Sequence, residues 1–160
     1  MNAISIRRAV GDSDIIVARR LLEEYAAWIA IDLSFQNFAE ELRLLPGEYA
    51  PPAGVLFLAW ADAKPAGCIA VRRLDDETCE MKRLYVRDSF RGLKAGERLA
   101  REAIEWARAA AYRLMLLDTL PPMRSAHRLY ERLGFTETPA YRFNPVEGAR
   151  FMALDLHRDR

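Results

Sequence analysis

Met81-Lys-Arg-Leu-Tyr-Val-Arg-Asp-Ser-Phe-Arg-Gly-Leu-Lys-Ala-Gly96 is the stretch whose reading decides the fold. Met81 to Val86 reads as a strand, and an alanine-rich run with helical spacing starts near Leu93. Between them, Arg91-Gly92-Leu93-Lys94-Ala95-Gly96 forms a short loop that feeds a helix N-terminus. The first N–H groups of a helix have no intrahelical partner, and the macrodipole favours an anion beside them. Such a loop is suited to phosphate.

Upstream, Ile4-Ser-Ile-Arg7 alternates as an opening strand. Asp12 or Ser13 is placed to cap a helix over roughly 13–30, with Ala18, Leu22, Tyr25 and Ile29 on one side. A shorter helix is expected from Asp32 to Leu45, stopped by Pro46-Gly47, and Pro51-Pro52 opens a loop. Val55 to Ala61 reads as a strand, with Lys64-Pro65 at a turn. Gly67 to Leu74 and Thr78 to Val86 read as a hairpin closed at Asp75-Asp76-Glu77.

Downstream, the helix is expected from Leu93 to Ala111, where Leu99, Ala103, Trp106 and Ala110 recur at helical spacing. Arg113 to Asp118 is a short apolar strand, Pro122 suits the first position of the next helix, and Gly134 its left-handed end. Phe135 to Thr138 and Arg150 to Leu156 complete the set, separated by a loop over Tyr141 to Gly148. The order is β-α-α-β-β-β-α-β-α-β-β. An antiparallel meander followed by β-α-β argues for an α/β (α+β) mixed sheet with helices on both faces, in a single domain spanning residues 1–160.

Composition narrows the function. A net charge of +1, from 24 basic and 23 acidic residues, gives no electrostatic case for nucleic acid or an anionic membrane. No apolar run reaches membrane-span length, and Met1-Asn-Ala-Ile-Ser5 lacks the apolar core of a signal peptide, so the cytoplasm is the expected location. Cys68 and Cys79 read as reduced strand cysteines, with no CxxC to hold a metal.

Arg91 and Gly96, with the strand before and the helix after, resemble the acyl-CoA pyrophosphate loop of the GNAT superfamily of N-acetyltransferases. The family pattern is Arg/Gln-x-x-Gly-x-Gly/Ala, and Lys94 stands at its middle Gly. Leu84-Tyr85-Val86 followed by Arg87-Asp88 is similar to the end of the family's fourth strand. Leu129-Tyr-Glu-Arg-Leu-Gly-Phe135 and an intervening strand ending in Asp118-Thr119 also match. The element order is the family's, so the resemblance runs from Ile4 to Leu156. It implies the GNAT fold, a central mostly antiparallel sheet whose fourth and fifth strands run parallel and splay apart.

The resemblance also implies acetyl-CoA as acyl donor. Main-chain N–H groups of Gly92, Leu93, Lys94, Ala95 and Gly96, beside Arg91, would take its pyrophosphate. Leu84, Tyr85 and Val86 would lie along the pantetheine arm, and Ser125 sits where many relatives carry an Asn near that arm. Lys94 adds a Cβ to the loop; with a negative φ, the conformation expected, its amide still donates.

Amine acylation by a thioester needs a neutral amine, an oxyanion stabiliser and a proton for the departing thiolate. Tyr130 matches the family tyrosine that supplies this proton, as a phenol of pKa about 10 can at neutral pH. It reads also as a core aromatic, since Ala126, Leu129 and Leu133 share its helix. Glu80, inside Cys79-Glu80-Met81, matches the strand carboxylate that takes the amine proton, commonly through water. It reads equally as an exposed strand glutamate paired with Arg72 or Lys82, and Glu23 and Asp118 are weaker alternatives for the base. His127 and His157 read as isolated surface residues, and no metal is expected. Trp28, Phe35 and Trp106 read as core, Phe35 lying where the family's second helix overhangs the acceptor site.

The expected activity is transfer of an acetyl group to a primary amine of a small molecule or peptide by direct attack. Neither nucleic acid nor membrane is an expected partner, and a homodimer is left open. The rival reading is a catalytically silent acyl-CoA-binding sensor on the same fold, supported by Lys94 and opposed by Glu80 and Tyr130. A Walker-type phosphate module would need Gly-x-x-x-x-Gly-Lys-Ser/Thr, which the sequence lacks.

Overall fold

The computed structural model describes residues 3–157, so Met1-Asn2 and residues 158–160 of the expected domain lie outside the described part. Its elements run β1 (Ile4–Arg8), α1 (Gly11–Ile29), α2 (Phe38–Leu44), β2 (Val55–Ala61), β3 (Lys64–Arg73) and β4 (Thr78–Val86). They continue with α3 (Ala95–Ala109), β5 (Leu114–Thr119), α4 (Arg124–Arg132), β6 (Thr136–Glu137) and β7 (Arg150–Asp155). The expected element order is present in full.

Strand alternation sorts the side chains to two faces of one sheet. On β2, Val55, Phe57 and Ala59 join one core cluster, while Leu56 and Leu58 join another. On β3, Ile69 and Val71 oppose Cys68 and Ala70 in the same way. Strands apolar on both faces must be covered twice. Leu99, Ala103 and Ile104 of α3 cover the first face, joined by Leu129 and Tyr130 of α4. Ala18, Leu21 and Leu22 of α1 cover the second, with Phe38 and Leu42 of α2 packed beside them. Cys68 and Cys79 are free and buried, and burial pushes both thiols up to about 12, which leaves them unreactive.

Among the described residues the sheet has seven strands in the order β1-β2-β3-β4-β5-β7-β6. Its parallel pair is β4 with β5. That pairing covers only Thr78 to Glu80 against Leu114 to Leu116, although β4 continues to Val86. The two strands therefore splay, and among the described residues the β5-facing edge of β4 carries no strand partner beyond Glu80. A bulge lies opposite on the same strand: Cys68 pairs with Tyr85 and Ala70 with Lys82, so Arg83 and Leu84 together face Ile69. Arg83 takes φ +64. The extra residue reverses the facing of the strand. Cys79 and Met81 enter the first core cluster before the bulge, and Leu84 and Val86 pack with that cluster after it.

Several local expectations are corrected. Neither Asp12 nor Ser13 caps α1; Val10 does, and its N–H donates to the Asp14 carboxylate at 2.9 Å, with Gly11 at φ +75 turning the chain into the helix. The helix expected from Asp32 to Leu45 is interrupted, because Asp32 accepts from the Ser34 N–H and Asn37 takes φ 58. Lys64 opens β3, the turn falling at Asp62 with φ 55. Pro122 precedes α4 in a turn, and the helix begins at Arg124. His127 is buried rather than on the surface, while His157 is exposed as expected. Phe35 and Trp106 are half-buried.

Candidate active site

The splay leaves a wedge between β4 and the β5–α4 connection, and a cavity of about 440 Å³ fills it. Leu84, Tyr85 and Val86 form one wall, and Arg91, Gly92, Lys94, Ala95 and Gly96 form one end. Pro122, Met123, Ser125, Ala126 and Leu129 close the other side. The chain thus brings together nine of the residues singled out from sequence. Leu93 and Tyr130 do not line this cavity; Leu93 packs on the core, and Tyr130 is 3% exposed beneath it.

Trp28, expected in the core, is 39% exposed and borders the cavity. Its indole sits 6.0 Å from the Tyr85 ring, and the Arg91 guanidinium lies over it at 5.0 Å. Helical spacing gave no signal for this, because the neighbour that draws Trp28 outward is on β4. Tyr85 in turn donates to Glu24, which also takes a bidentate pair from Arg87 at 2.8 and 2.7 Å.

The first helical hydrogen bond of α3 runs from Arg98 N–H to the Lys94 carbonyl at 3.0 Å. Ala95, Gly96 and Glu97 therefore begin the helix with N–H groups that the helix itself does not use. Lys94 takes φ +61 and ψ 22, which overturns the negative φ expected. It is the residue at which the chain, extended at Arg91 and turned at Gly92 with φ +86, enters the helix. A non-glycine residue in this left-handed region costs about 1–2 kcal/mol. Lys94→Gly should accordingly raise stability by about 1 kcal/mol, a Tm gain of about 2–4 °C by thermal melting. Lys94→Ala should give no gain.

Glu80 is fully buried, so it is not the exposed strand glutamate of the second reading, although Arg72 pairs with it as that reading expected. Arg72 Nε donates to its Oε1 at 2.8 Å, and its Oε2 accepts from the Tyr141 hydroxyl and lies 3.2 Å from Arg142. Arg72 also holds Glu48, and Arg142 also holds Asp118, which takes a further bond from Asn144. The loop after β6 thus folds back over the sheet to reach Glu80. Sequence reading saw only a loop, since nothing in Tyr141-Arg-Phe-Asn144 names its distant partner. Burial, and then the charge on Glu80, push the Tyr141 phenol well up, so it stays protonated.

The Tyr130 ring packs on Phe135 at 5.6 Å. Burial pushes its phenol well above the ordinary value, and it too stays protonated at neutral pH. The Arg83 side chain, buried by the bulge, makes a bidentate pair with Glu41 at 2.9 and 2.8 Å. Burial alone would raise the Glu41 carboxyl, yet this guanidinium holds it below its usual range. The pair fastens α2 to the sheet.

Residues 18–135 match the profile of the Acetyltransferase (GNAT) family. The chain belongs to the GNAT acetyltransferase family. An uncharacterised N-acetyltransferase of Schizosaccharomyces pombe is 38% identical over 97% of this chain and 96% of its own length. The N-acetylaspartate synthetase of Danio rerio is 37% identical over 54% of this chain, a match that spans 32% of that larger protein. Among solved structures, a Salmonella typhimurium acetyltransferase determined with its cofactor acetyl-CoA superposes with a TM-score of 0.69 at 21% identity, over 99% of this chain and 96% of that one. In this GNAT chain no described helix is long and apolar enough to cross a membrane.

Proposed function

We propose that the chain transfers an acetyl group from acetyl-CoA to a primary amine of a small molecule or peptide by direct attack. One observation carries this reading: in a GNAT chain, an unpaired edge of β4, the N-terminus of α3 and one side of α4 converge on a single wedge-shaped cavity. The acetyl-CoA held by the Salmonella relative supports the same donor.

The residues present fit that donor. The open β4 backbone suits an amide-bearing arm, which can add to it as a strand would. The unused N–H groups at the start of α3 suit a pyrophosphate.

Acetyl-CoA, when bound, supplies an activated thioester carbonyl. The amine nitrogen attacks that carbon, the C–N bond forms, the C–S bond breaks, and the sulfur leaves with the bonding pair. We assign Tyr130 to give the sulfur its proton. Both Glu80 oxygens are engaged, so the proton shed by nitrogen is routed through the Tyr141 hydroxyl, which passes its own to Glu80. Solvent then restores both groups. The name of the N-acetylaspartate synthetases puts amino acids among the acceptors to assay.

Acetyl-CoA at a hundredfold excess over Kd should stabilise the protein by about 2.7 kcal/mol, a Tm rise of about 5–10 °C. Dephospho-CoA should keep most of that rise and pantetheine little of it. Equal shifts for pantetheine and acetyl-CoA would remove the pyrophosphate assignment. Thiol release from acetyl-CoA in the presence of an amine panel tests the transfer itself.

A further inference from the structure

A second cavity, of about 290 Å³, lies between α2 and the sheet. Arg72 and Lys82 line it from the strands, Gln36, Asn37 and Glu40 from the α2 side, and Arg142 from the loop after β6. Its size suits a small molecule. It meets β4 at Lys82, whereas the first cavity begins at Leu84, so the two lie on either side of Arg83. That separation is about 7 Å along a strand, within the length of one small acceptor.

The ion pairs around this cavity leave Lys82 out. Each lining carboxylate already has an arginine: Glu40 has Arg43, Glu41 has Arg83 and Glu48 has Arg72. Lys82 is 7% exposed, and among the described residues no carboxylate pairs with it. Burial, and then the neighbouring Arg83 charge, pull its ammonium down to about 7. Among the described residues, buried Arg142 Nε has no acceptor and buried Gln36 Oε1 no donor. Buried donors without acceptors are costly, so an anionic ligand that accepts from Arg142 Nε and holds Lys82 protonated would satisfy both. The unmatched groups are cationic or neutral donors on Lys82 and Arg142, and one acceptor on Gln36. Carboxylate and amine on one molecule match both.

We infer that the second cavity seats the acceptor of the transferase reading, on which this inference rests, and that this acceptor is a free amino acid. Its carboxylate docks on Lys82 and Arg142, and its amine, facing Gln36, is directed past Arg83 toward the first cavity. A polyamine carries no acceptor for Lys82 or for Arg142 Nε.

The test uses the full chain with saturating acetyl-CoA. The acceptors are glycine, L-alanine, L-aspartate, L-glutamate and L-phenylalanine, each beside its α-amide, with spermidine and tyramine as carboxylate-free amines. At least one acid should exceed its amide about 100-fold in kcat/KM, since a site built for a charged partner rejects the analogue lacking it. Lys82→Met should raise the KM for that acid at least tenfold, with acetyl-CoA Kd unchanged. Its Tm should not fall, because a buried amine with no ion-pair partner has been replaced by an apolar side chain. Lys82→Arg should recover part of the affinity. Amides or spermidine that match the acids, or a Lys82→Met variant with unaltered KM, would overturn the inference. If no amine is acetylated while acetyl-CoA binds, the transferase reading is what fails. Titration calorimetry of the CoA-loaded protein with the same acids and amides then decides the pocket: acid binding lost in Lys82→Met upholds it, and no acid binding overturns it.

Discussion

Tyr130→Phe should lower kcat by about 10²–10⁴-fold, the range in which a positioned proton donor contributes. The expectation rests on what the substitution leaves in place. The ring stays stacked on Phe135, and the side chain stays buried on the core-facing side of α4. Among the described residues the Tyr130 hydroxyl makes no hydrogen bond, so its removal leaves no partner unmatched there. Acetyl-CoA Kd and Tm should therefore barely move. Burial keeps this phenol protonated well past neutral pH, so the parent enzyme should not lose activity through Tyr130 as pH rises from 6 to 9, roughly the span below an ordinary phenol pKa. Turnover and Kd measured on the same variant decide the matter. A loss of stability or of acetyl-CoA binding, with turnover intact, makes Tyr130 a core aromatic alone.

Glu80 should show two separable effects. Glu80→Ala removes a buried carboxylate shared by Arg72, Arg142 and Tyr141, and breaking such a pair from one side costs about 3–5 kcal/mol. Arg72 keeps Glu48 and Arg142 keeps Asp118, which places the loss near the lower end, a Tm drop of about 6–12 °C. Glu80→Gln keeps the shape and one acceptor oxygen, so its destabilisation should be smaller, about 1–3 kcal/mol. In that milder variant kcat/KM should fall most on the acidic side, where the acceptor enters as an ammonium and must shed a proton. Tyr141→Phe should reproduce the same acid-side loss if the proton passes through its hydroxyl. An unchanged pH profile in both, alongside the lost stability, would leave Glu80 as an anchor for the loop and move the base elsewhere.

The alternation of Ile4 to Arg7, the apolar run of Val55 to Ala61, the helical spacing of Leu99, Ala103 and Trp106, and the Arg91-to-Gly96 loop were enough to give the order of elements and the place of the first cavity. These signals are local: period two, period 3.6 and a chain turning into a helix each involve residues within a few positions of one another. What the sequence could not show was which distant residues meet. Tyr141 reaches Glu80 across 61 positions and Arg83 reaches Glu41 across 42. Folding thus made a glutamate that read equally as a base or as an exposed ion-pair partner into a buried hub. The left-handed Lys94 and the bulge at Arg83 likewise follow from how strand and helix must join in space. Lys82 is the sharpest case. Its neighbours in sequence say only that it lies on a strand, and it lacks an ion-pair partner because the tertiary structure paired the carboxylates lining its cavity with arginines.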